Sequence, residues 1–323
     1  MSDKDRGWKI SWTNPGQPAG QAPSTQPKSV ATTEAPLTPE VAPAAPRLPR
    51  PTWMIGCGNL GGALVAGWRG AGIDLADGVV IRPSGTAIDG LRTVRAYDEA
   101  GEPPRLVVLA FKPQKLDEIA PQLQKHLTSQ TVVVSLLAGV EAASLRRHFP
   151  EVGGIVRAMP NLGIAIRRGV TALYSDELGD EVRKQISDLF APLGFALWAV
   201  DEARLAAVGS VAGAGPAYVA RFISALAKAG EGQGLSPDIA ATVALETVFG
   251  TAWLAASTGE SMEALAKRVA SPGGTTEAGL AVLDKEHVLD QLIGVTIDAA
   301  AQRGAELAMQ ARSAQVDSGE TLH

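Results

Sequence analysis

Three glycines are spaced as in a dinucleotide-binding turn. Gly56, Gly58 and Gly61 form G-x-G-x-x-G directly after the apolar run TWMI and at the start of a predicted helix. The first glycine of such a turn allows the bend, the second lets the backbone approach a pyrophosphate, and the third permits close helix packing. The N-terminus of the helix favours an anion. In this position the pattern predicts a bound dinucleotide, and Cys57 inside it is predicted to be a passive loop residue.

Cationic and polar residues follow the next predicted strands. An NAD site usually carries Asp or Glu about 20 residues past the glycines, whereas this chain has Arg82 and Ser84 after the run VVI. A cation and a hydroxyl suit a 2′-phosphate, so we expect NADPH, with NADH as the alternative. Lys112 and Pro113 follow the run LVVLAF. They therefore lie at the carboxyl end of a predicted strand, where open parallel sheets bind ligands.

The stretch SPGGTT, residues 271–276, interrupts a region of predicted helices. Exposed N–H groups of a glycine-rich turn at a helix N-terminus suit a carboxylate. The hydroxyl of Thr276 could donate to an imine nitrogen while hydride reaches the neighbouring carbon. On the residues alone, a capped turn in which Ser-Pro closes one helix and Thr opens the next is the favoured interpretation.

The sequence offers no clear set of acid–base or metal-binding residues. The four histidines, at positions 126, 148, 287 and 323, lack metal-ligand spacing, and no G-x-S-x-G nucleophile motif occurs. We therefore expect no metal and assign the chemistry to the cofactor. Reduction of a C=N bond fits best, because a protonated imine needs less acid catalysis than a ketone.

Apolar runs alternate with helical patterns from residue 52 to about 200, which predicts βαβ units on a mostly parallel sheet. The predicted strands are 52–55, 79–82, 106–111, 131–136, 154–159, 170–174 and 195–200. The predicted helices between them are 59–70, 85–92, 115–126, 141–149 and 177–191.

Beyond residue 201 only helical patterns follow. They cover 203–211, 216–230, 237–257, 261–270, 276–285 and 287–312. Pro216 and Pro237 suit first helical positions, and Ser236 suits an N-cap. Several of these helices are apolar nearly all round and need burial on more than one face, so a partner subunit is expected.

Composition limits the remaining options. The chain has 323 residues, a net charge of −5 and one cysteine, which argues against nucleic acid as a partner and for a reducing compartment, the cytoplasm. No charge-free apolar run reaches about 18 residues, so no membrane span is expected. Residues 1–50 are rich in Pro, Ala, Thr and Gln and are predicted to be a disordered tail.

The combined motifs resemble the pyrroline-5-carboxylate reductase family. The segments in family order are IGCGNLGGAL, LAFKPQ, SLLAGV, VRAMPN, GAGPAY and ASPGGTTEAGLAVL, spread from about residue 52 to about 312. The resemblance implies an α/β fold with an N-terminal Rossmann domain, followed by an all-helical dimerisation domain. It implies NADPH-dependent reduction of L-1-pyrroline-5-carboxylate to L-proline, the last step of proline biosynthesis. The expected assembly is a homodimer, which could build a larger ring such as a decamer.

The resemblance also assigns domains and site residues. The predicted divisions are a tail, 1–50, a Rossmann domain, 51–202, a helical domain, 203–312, and a flexible C-terminus, 313–323. The predicted cofactor residues are Gly56, Gly58, Asn59, Leu60, Gly61, Arg82, Ser84, Lys112, Pro113, Ala138, Gly139, Met159 and Asn161. The substrate carboxylate would bind Ser271, Gly273, Gly274, Thr275 and Thr276. Thr276, the predicted catalytic residue, would hydrogen-bond the ring nitrogen.

Two segments depart from the family pattern. Leu162 and Gly163 replace a threonine and a proline after MPN, and Ala212 and Ala214 replace two serines before GPAY. These changes leave open a related cyclic imino acid as substrate, or a catalytically weak dinucleotide-binding sensor or scaffold. A β-hydroxyacid substrate would need a lysine early in the helical domain, and Lys228 is a poor candidate for that role.

Overall fold

The computed structural model describes residues 47–319, with side chains as far as residue 310. The predicted tail therefore lies outside the described residues, except for its last four. Two of these four contact the rest of the chain through their side chains: Leu48 is buried, and exposed Arg50 pairs with Asp74 and Asp77. Ordered packing thus begins before residue 51.

Eight strands form one sheet in the order β3-β2-β1-β4-β5-β6-β7-β8. They are β1 Thr52–Ile55, β2 Gly78–Ile81, β3 Arg92–Val94, β4 Leu106–Leu109, β5 Val132–Ser135, β6 Gly154–Pro160, β7 Gly169–Tyr174 and β8 Gly194–Trp198. Every neighbouring pair is parallel except β6 with β7. The first six strands have the order of a doubly wound dinucleotide-binding sheet, so the predicted fold class is confirmed.

Helices cover both faces of this sheet. They are α1 Asn59–Gly70, α2 Leu116–Leu123, α3 Ala142–His148 and α4 Asp180–Phe190. Successive strand residues point to opposite faces, so Met54 of β1 joins the core under α1 and α4, while Trp53 and Ile55 join the core under α2 and α3. Both faces are buried, as the continuous apolar runs predicted.

The predicted helix over residues 85–92 is wrong. Gly85 and Gly90 have positive φ angles of 64° and 88°, which break a right-handed helix. The segment is instead a set of turns leading into β3, a strand that the sequence did not reveal. It has three residues with one buried, too short for a recognisable alternation.

The helical half begins directly after the sheet. It contains α5 Glu202–Val208, a π-helical turn Gly209–Gly213, α6 Gly215–Gly232, α7 Pro237–Thr258, α8 Met262–Val269, α9 Thr275–Asp284 and α10 Val288–Gly319. Pro216 and Pro237 occupy first turns, and Ser236 is an N-cap whose hydroxyl makes no cap hydrogen bond. The last helix continues past residue 312, where the sequence pattern ended.

This half leaves much apolar surface uncovered in a single chain. Phe222, Phe249 and Trp253 are 54%, 49% and 46% exposed, and α7 has only three buried residues, all alanines. Among the described helices, α7 is long and apolar enough to span a membrane by length and composition alone. Glu246 and Asp238 lie within it, so a covering protein surface is an equally direct explanation.

Candidate active site

The glycine turn joins β1 to α1 as the spacing predicted. Gly56 has a φ of 74°, and a Cβ atom there would lie 2.9 Å from the carbonyl oxygen of Ala110. No larger residue fits this bend. The Cα of Gly58 faces open space, whereas a Cβ atom at Gly61 would lie 3.1 Å from Ala110 Cβ. One glycine therefore bends the chain, one leaves room for a ligand, and one allows close packing.

The start of α1 suits an anion. Its first turn has no acidic residue, and its N-cap, Gly58, offers no side-chain acceptor. The first amides of a helix have no carbonyl partner within the helix, so here they are available to a pyrophosphate. Asn59 is exposed, while Leu60 packs on the core; Leu60 can contribute to a cofactor site through its backbone.

Cys57 is buried inside the turn. Burial raises the pKa of its thiol, and the positive charge of Arg82 opposes that rise. The thiol is therefore protonated and unreactive at neutral pH, as expected of a passive loop residue. The same interaction shows that the guanidinium of Arg82 lies close to the glycine turn.

A second arginine lies beside Arg82 and Ser84. Arg82 is half-buried after β2, and its N–H donates to Val94 at 3.0 Å. Arg95 follows β3, and its Nε would lie 2.6 Å from a Cβ atom at Gly85. Exposed Ser84 accepts a hydrogen bond from the backbone of Thr86 at 3.3 Å. The sequence interpretation missed Arg95 because β3, whose carboxyl end carries it, was not predicted.

The remaining cofactor candidates lie at the carboxyl ends of three adjacent strands. Lys112, exposed, and Pro113 follow β4. Ala138 and Gly139 follow β5, and Met159 lies near the end of β6. This is the edge where doubly wound sheets bind ligands, and the structure brings these residues to it together.

Gly139 is in contact with the last helix. Its φ is 76°, and a Cβ atom there would lie 3.2 Å from the backbone carbon of Leu307 in α10. The helical half therefore packs directly on the loop after β5. No sequence motif indicated this contact.

The side chain of Asn161 mainly makes hydrogen bonds to backbone groups of neighbouring segments. Its Oδ1 accepts hydrogen bonds from the N–H groups of Gly163 at 3.1 Å and Val170 at 3.2 Å. Its Nδ2 donates to the carbonyl of Ala212, in the π-helical turn, at 3.0 Å. Asn161 thus joins the end of β6 to the helical half, in addition to the cofactor contact predicted for it.

A buried ion pair also joins the two halves. Arg157 of β6 lies with its Nη1 3.3 Å from Oε2 of Glu202, and the two side chains are 9% and 27% exposed. Oε1 of Glu202 accepts the N–H of Ala142, the first residue of α3, at 2.7 Å. Glu202 therefore fixes α3, β6 and α5 together next to the cofactor edge. Sequence spacing could not reveal it, since its partners lie 45 and 60 positions away.

The SPGGTT loop connects α8 to α9. Ser271, Gly273 and Thr275 are exposed, while Gly274 and Thr276 are half-buried. The N–H of Gly274 donates to the carbonyl of Ser271 at 2.9 Å. Gly274 is the N-cap of α9 without a side-chain cap, and Thr275 and Thr276 are its first two residues. The predicted substrate residues thus form a largely exposed turn at a helix N-terminus, in which the N–H of Gly274 is bonded within the loop.

Two family models match the chain. The model described as pyrroline-5-carboxylate reductase dimerisation matches residues 202–307, and the model described as NADP oxidoreductase, coenzyme F420-dependent, matches residues 53–139. These matches cover the helical half and the first part of the sheet.

Curated relatives match most of the chain. A pyrroline-5-carboxylate reductase of Pseudomonas aeruginosa is 34% identical over 267 residues, which are 80% of this chain and 96% of the relative. One from Synechocystis is 38% identical over 211 residues, 65% of this chain and 77% of the relative.

Solved structures agree in fold. A pyrroline-5-carboxylate reductase of Coxiella burnetii superposes with a TM-score of 0.73 at 28% identity, covering 80% of this chain and 98% of that one. The Plasmodium falciparum pyrroline carboxylate reductase with NADP bound has a TM-score of 0.71 at 23% identity, covering 80% and 97%.

Proposed function

This chain belongs to the pyrroline-5-carboxylate reductase family, and we propose that it reduces L-1-pyrroline-5-carboxylate to L-proline, the last step of proline biosynthesis, with NADPH. It is an NAD(P)H-dependent oxidoreductase that acts on a C=N bond. The observation that carries the proposal is a dinucleotide-binding turn and an intact SPGGTT loop in one chain that spans 96% of a reductase relative.

The cofactor residues fit a bound dinucleotide. The uncapped amides of α1 and the open face of Gly58 would hold its pyrophosphate. The bound nicotinamide supplies hydride for the reaction. Residues after β4, β5 and β6 would form the wall of the nicotinamide pocket, with Lys112 and Pro113, Ala138 and Gly139, and Met159 contributing in turn.

Two guanidinium groups support a preference for NADPH. Arg82 begins the turn that its carbonyl closes by accepting the N–H of Gly85 at 3.0 Å, and Arg95 lies against Gly85. Arginine binds phosphate through paired, charge-assisted hydrogen bonds. No acidic residue stands between Ile81 and Thr86, where an NAD site places its ribose-binding carboxylate.

The loop at the start of α9 would bind the substrate. Its amides, next to Gly273 and Gly274, would hold the carboxylate, while the Thr276 hydroxyl would donate to the lone pair that forms on the ring nitrogen as hydride adds to the neighbouring carbon. A protonated imine needs little further activation: hydride adds to carbon and the nitrogen keeps its proton as the amine of proline. This accounts for the sparse set of acid–base residues at the sheet edge.

The helical half supports assembly. It matches a dimerisation region, and its exposed apolar residues would be covered by a second copy. We propose a homodimer, open to growth into a ring such as a decamer, with α7 buried against protein and the enzyme in the cytoplasm. In such a dimer the SPGGTT loop would meet the sheet edge of the partner.

One assay tests the function. Purified protein, NADPH and L-1-pyrroline-5-carboxylate should give loss of nicotinamide absorbance with stoichiometric formation of proline. Binding of NADPH without turnover would contradict the proposal and favour a sensor or scaffold. Faster turnover of another cyclic imino acid would assign that compound as the substrate. This second candidate is favoured by exposed Leu162, 55% accessible where the family has a hydroxyl.

A further inference from the structure

The SPGGTT loop already binds a carboxylate, and it belongs to the chain itself. Oε2 of Glu277 accepts the N–H of Gly273 at 2.7 Å. Glu277 is the third residue of α9, counted from Thr275, so its side chain reaches back over the loop. Both residues are exposed, and the bond occupies an amide of the loop proposed to hold the substrate carboxylate.

The position of Glu277 places a negative charge in the field of the helix N-terminus. The first amides of α9 lack intrahelical acceptors, and the macrodipole attracts anions there. A substrate carboxylate would be drawn to this helix terminus, next to the amide of Gly273, for the same reasons. Since two carboxylates at one helix terminus repel each other, the ligand and Glu277 compete.

We infer that Glu277 lowers the affinity for the substrate by competing with its carboxylate for the SPGGTT amides. This inference rests on the proposed function of the loop. In the free enzyme Glu277 keeps the loop in its binding shape through Gly273. On binding, the substrate carboxylate takes over the amide and Glu277 turns to solvent. Glu277 therefore raises KM for the imine and leaves the hydride step unaffected.

A purely structural role predicts a different result. Glutamate at the third helical position commonly reaches back to a preceding amide as a cap. If Glu277 served only in this way, its removal would lower stability without tightening substrate binding. Glu277→Gln separates the two roles, because the amide oxygen can still accept from Gly273 while the charge is lost.

The test compares Glu277→Gln with Glu263→Gln in the full-length protein. Glu263 is an exposed residue in the first turn of α8, so the control removes an equal charge from a neighbouring helix terminus. We expect the KM for L-1-pyrroline-5-carboxylate to fall about three- to tenfold in Glu277→Gln. The kcat and the KM for NADPH should stay within about twofold of wild type, and Glu263→Gln should match wild type throughout.

An unchanged or increased KM for the imine in Glu277→Gln would overturn the inference, as would an equal fall in Glu263→Gln. Binding of L-proline, measured by calorimetry in the presence of NADP⁺, gives a readout that needs no turnover. Tighter binding of proline by Glu277→Gln supports the inference, and equal or weaker binding contradicts it. If wild type binds proline but turns over no imine, the proposed function fails while the role of Glu277 is still decided.

Discussion

Among single residues, Thr276 is the one whose removal should be most informative. It lies half-buried at the second position of α9. Thr276→Ala should lower kcat about 10²-fold, because a hydrogen bond formed to the reacting nitrogen stabilises the transition state. The affinity for NADPH, measured by fluorescence titration, should stay near wild type.

Thr276→Ser provides the matched control for this change. It keeps the hydroxyl and removes a methyl group, so most of the turnover should return. Equal activity of the alanine and wild-type enzymes would remove Thr276 from the proposed mechanism.

Cofactor choice is also decided at the residue scale. Arg82→Asp should raise the KM for NADPH about ten- to hundredfold and leave the KM for NADH similar or lower, since a charged hydrogen bond to phosphate is lost and a carboxylate is gained. Arg95→Ala should weaken NADPH binding in the same direction by a smaller factor. Steady-state kinetics with both cofactors give the ratio, and an unaltered ratio in both variants would show that neither arginine binds the phosphate.

At the scale of elements, the ion pair of Glu202 links α5, β6 and α3. Glu202→Ala leaves the nearly buried Arg157 without a carboxylate and Ala142 without its acceptor. We expect a loss of about 2 to 3 kcal/mol in the free energy of unfolding, measured by urea denaturation at fixed protein concentration. Arg303→Ala, which breaks an exposed ion pair within α10, should change the free energy of unfolding little. A similar loss in both variants would show that Glu202 stabilises the fold no more than an exposed ion pair does.

The strands and helices were predictable from the sequence where their apolar residues follow a regular pattern. Seven strands stood out because each is a run of branched apolar residues bounded by turns. The edge strand β3 did not, since it has three residues with one buried, and Arg95 was missed with it. The contacts of Glu202 and Asn161 depend on tertiary approach between distant segments, which periodicity does not report. The glycine turn was found because local backbone geometry dictates its residues, whereas the SPGGTT loop was assigned to the substrate through the family resemblance.

For the whole molecule, the uncovered helices predict an obligate assembly. Light scattering after gel filtration should show at least a dimer. Phe222→Glu, at a position 54% exposed on α6 in a single chain, should dissociate it and abolish turnover, because burying an unpaired charge in an interface is costly. Lys228→Gln, an exposed polar change on the same helix, is the control. A monomeric, fully active wild type would contradict the prediction.

The contact between Gly139 and the backbone of α10 has a mechanical consequence. A side chain can change rotamer to absorb a small displacement, but at Gly139 the neighbour is main chain, so close that an added Cβ atom would lie 3.2 Å from the carbonyl carbon of Leu307. Any shift of the last helix is therefore transmitted to the loop after β5, beside the cofactor edge. In the proposed dimer, mutations that loosen the subunit interface far from the active site should therefore alter the affinity for the cofactor.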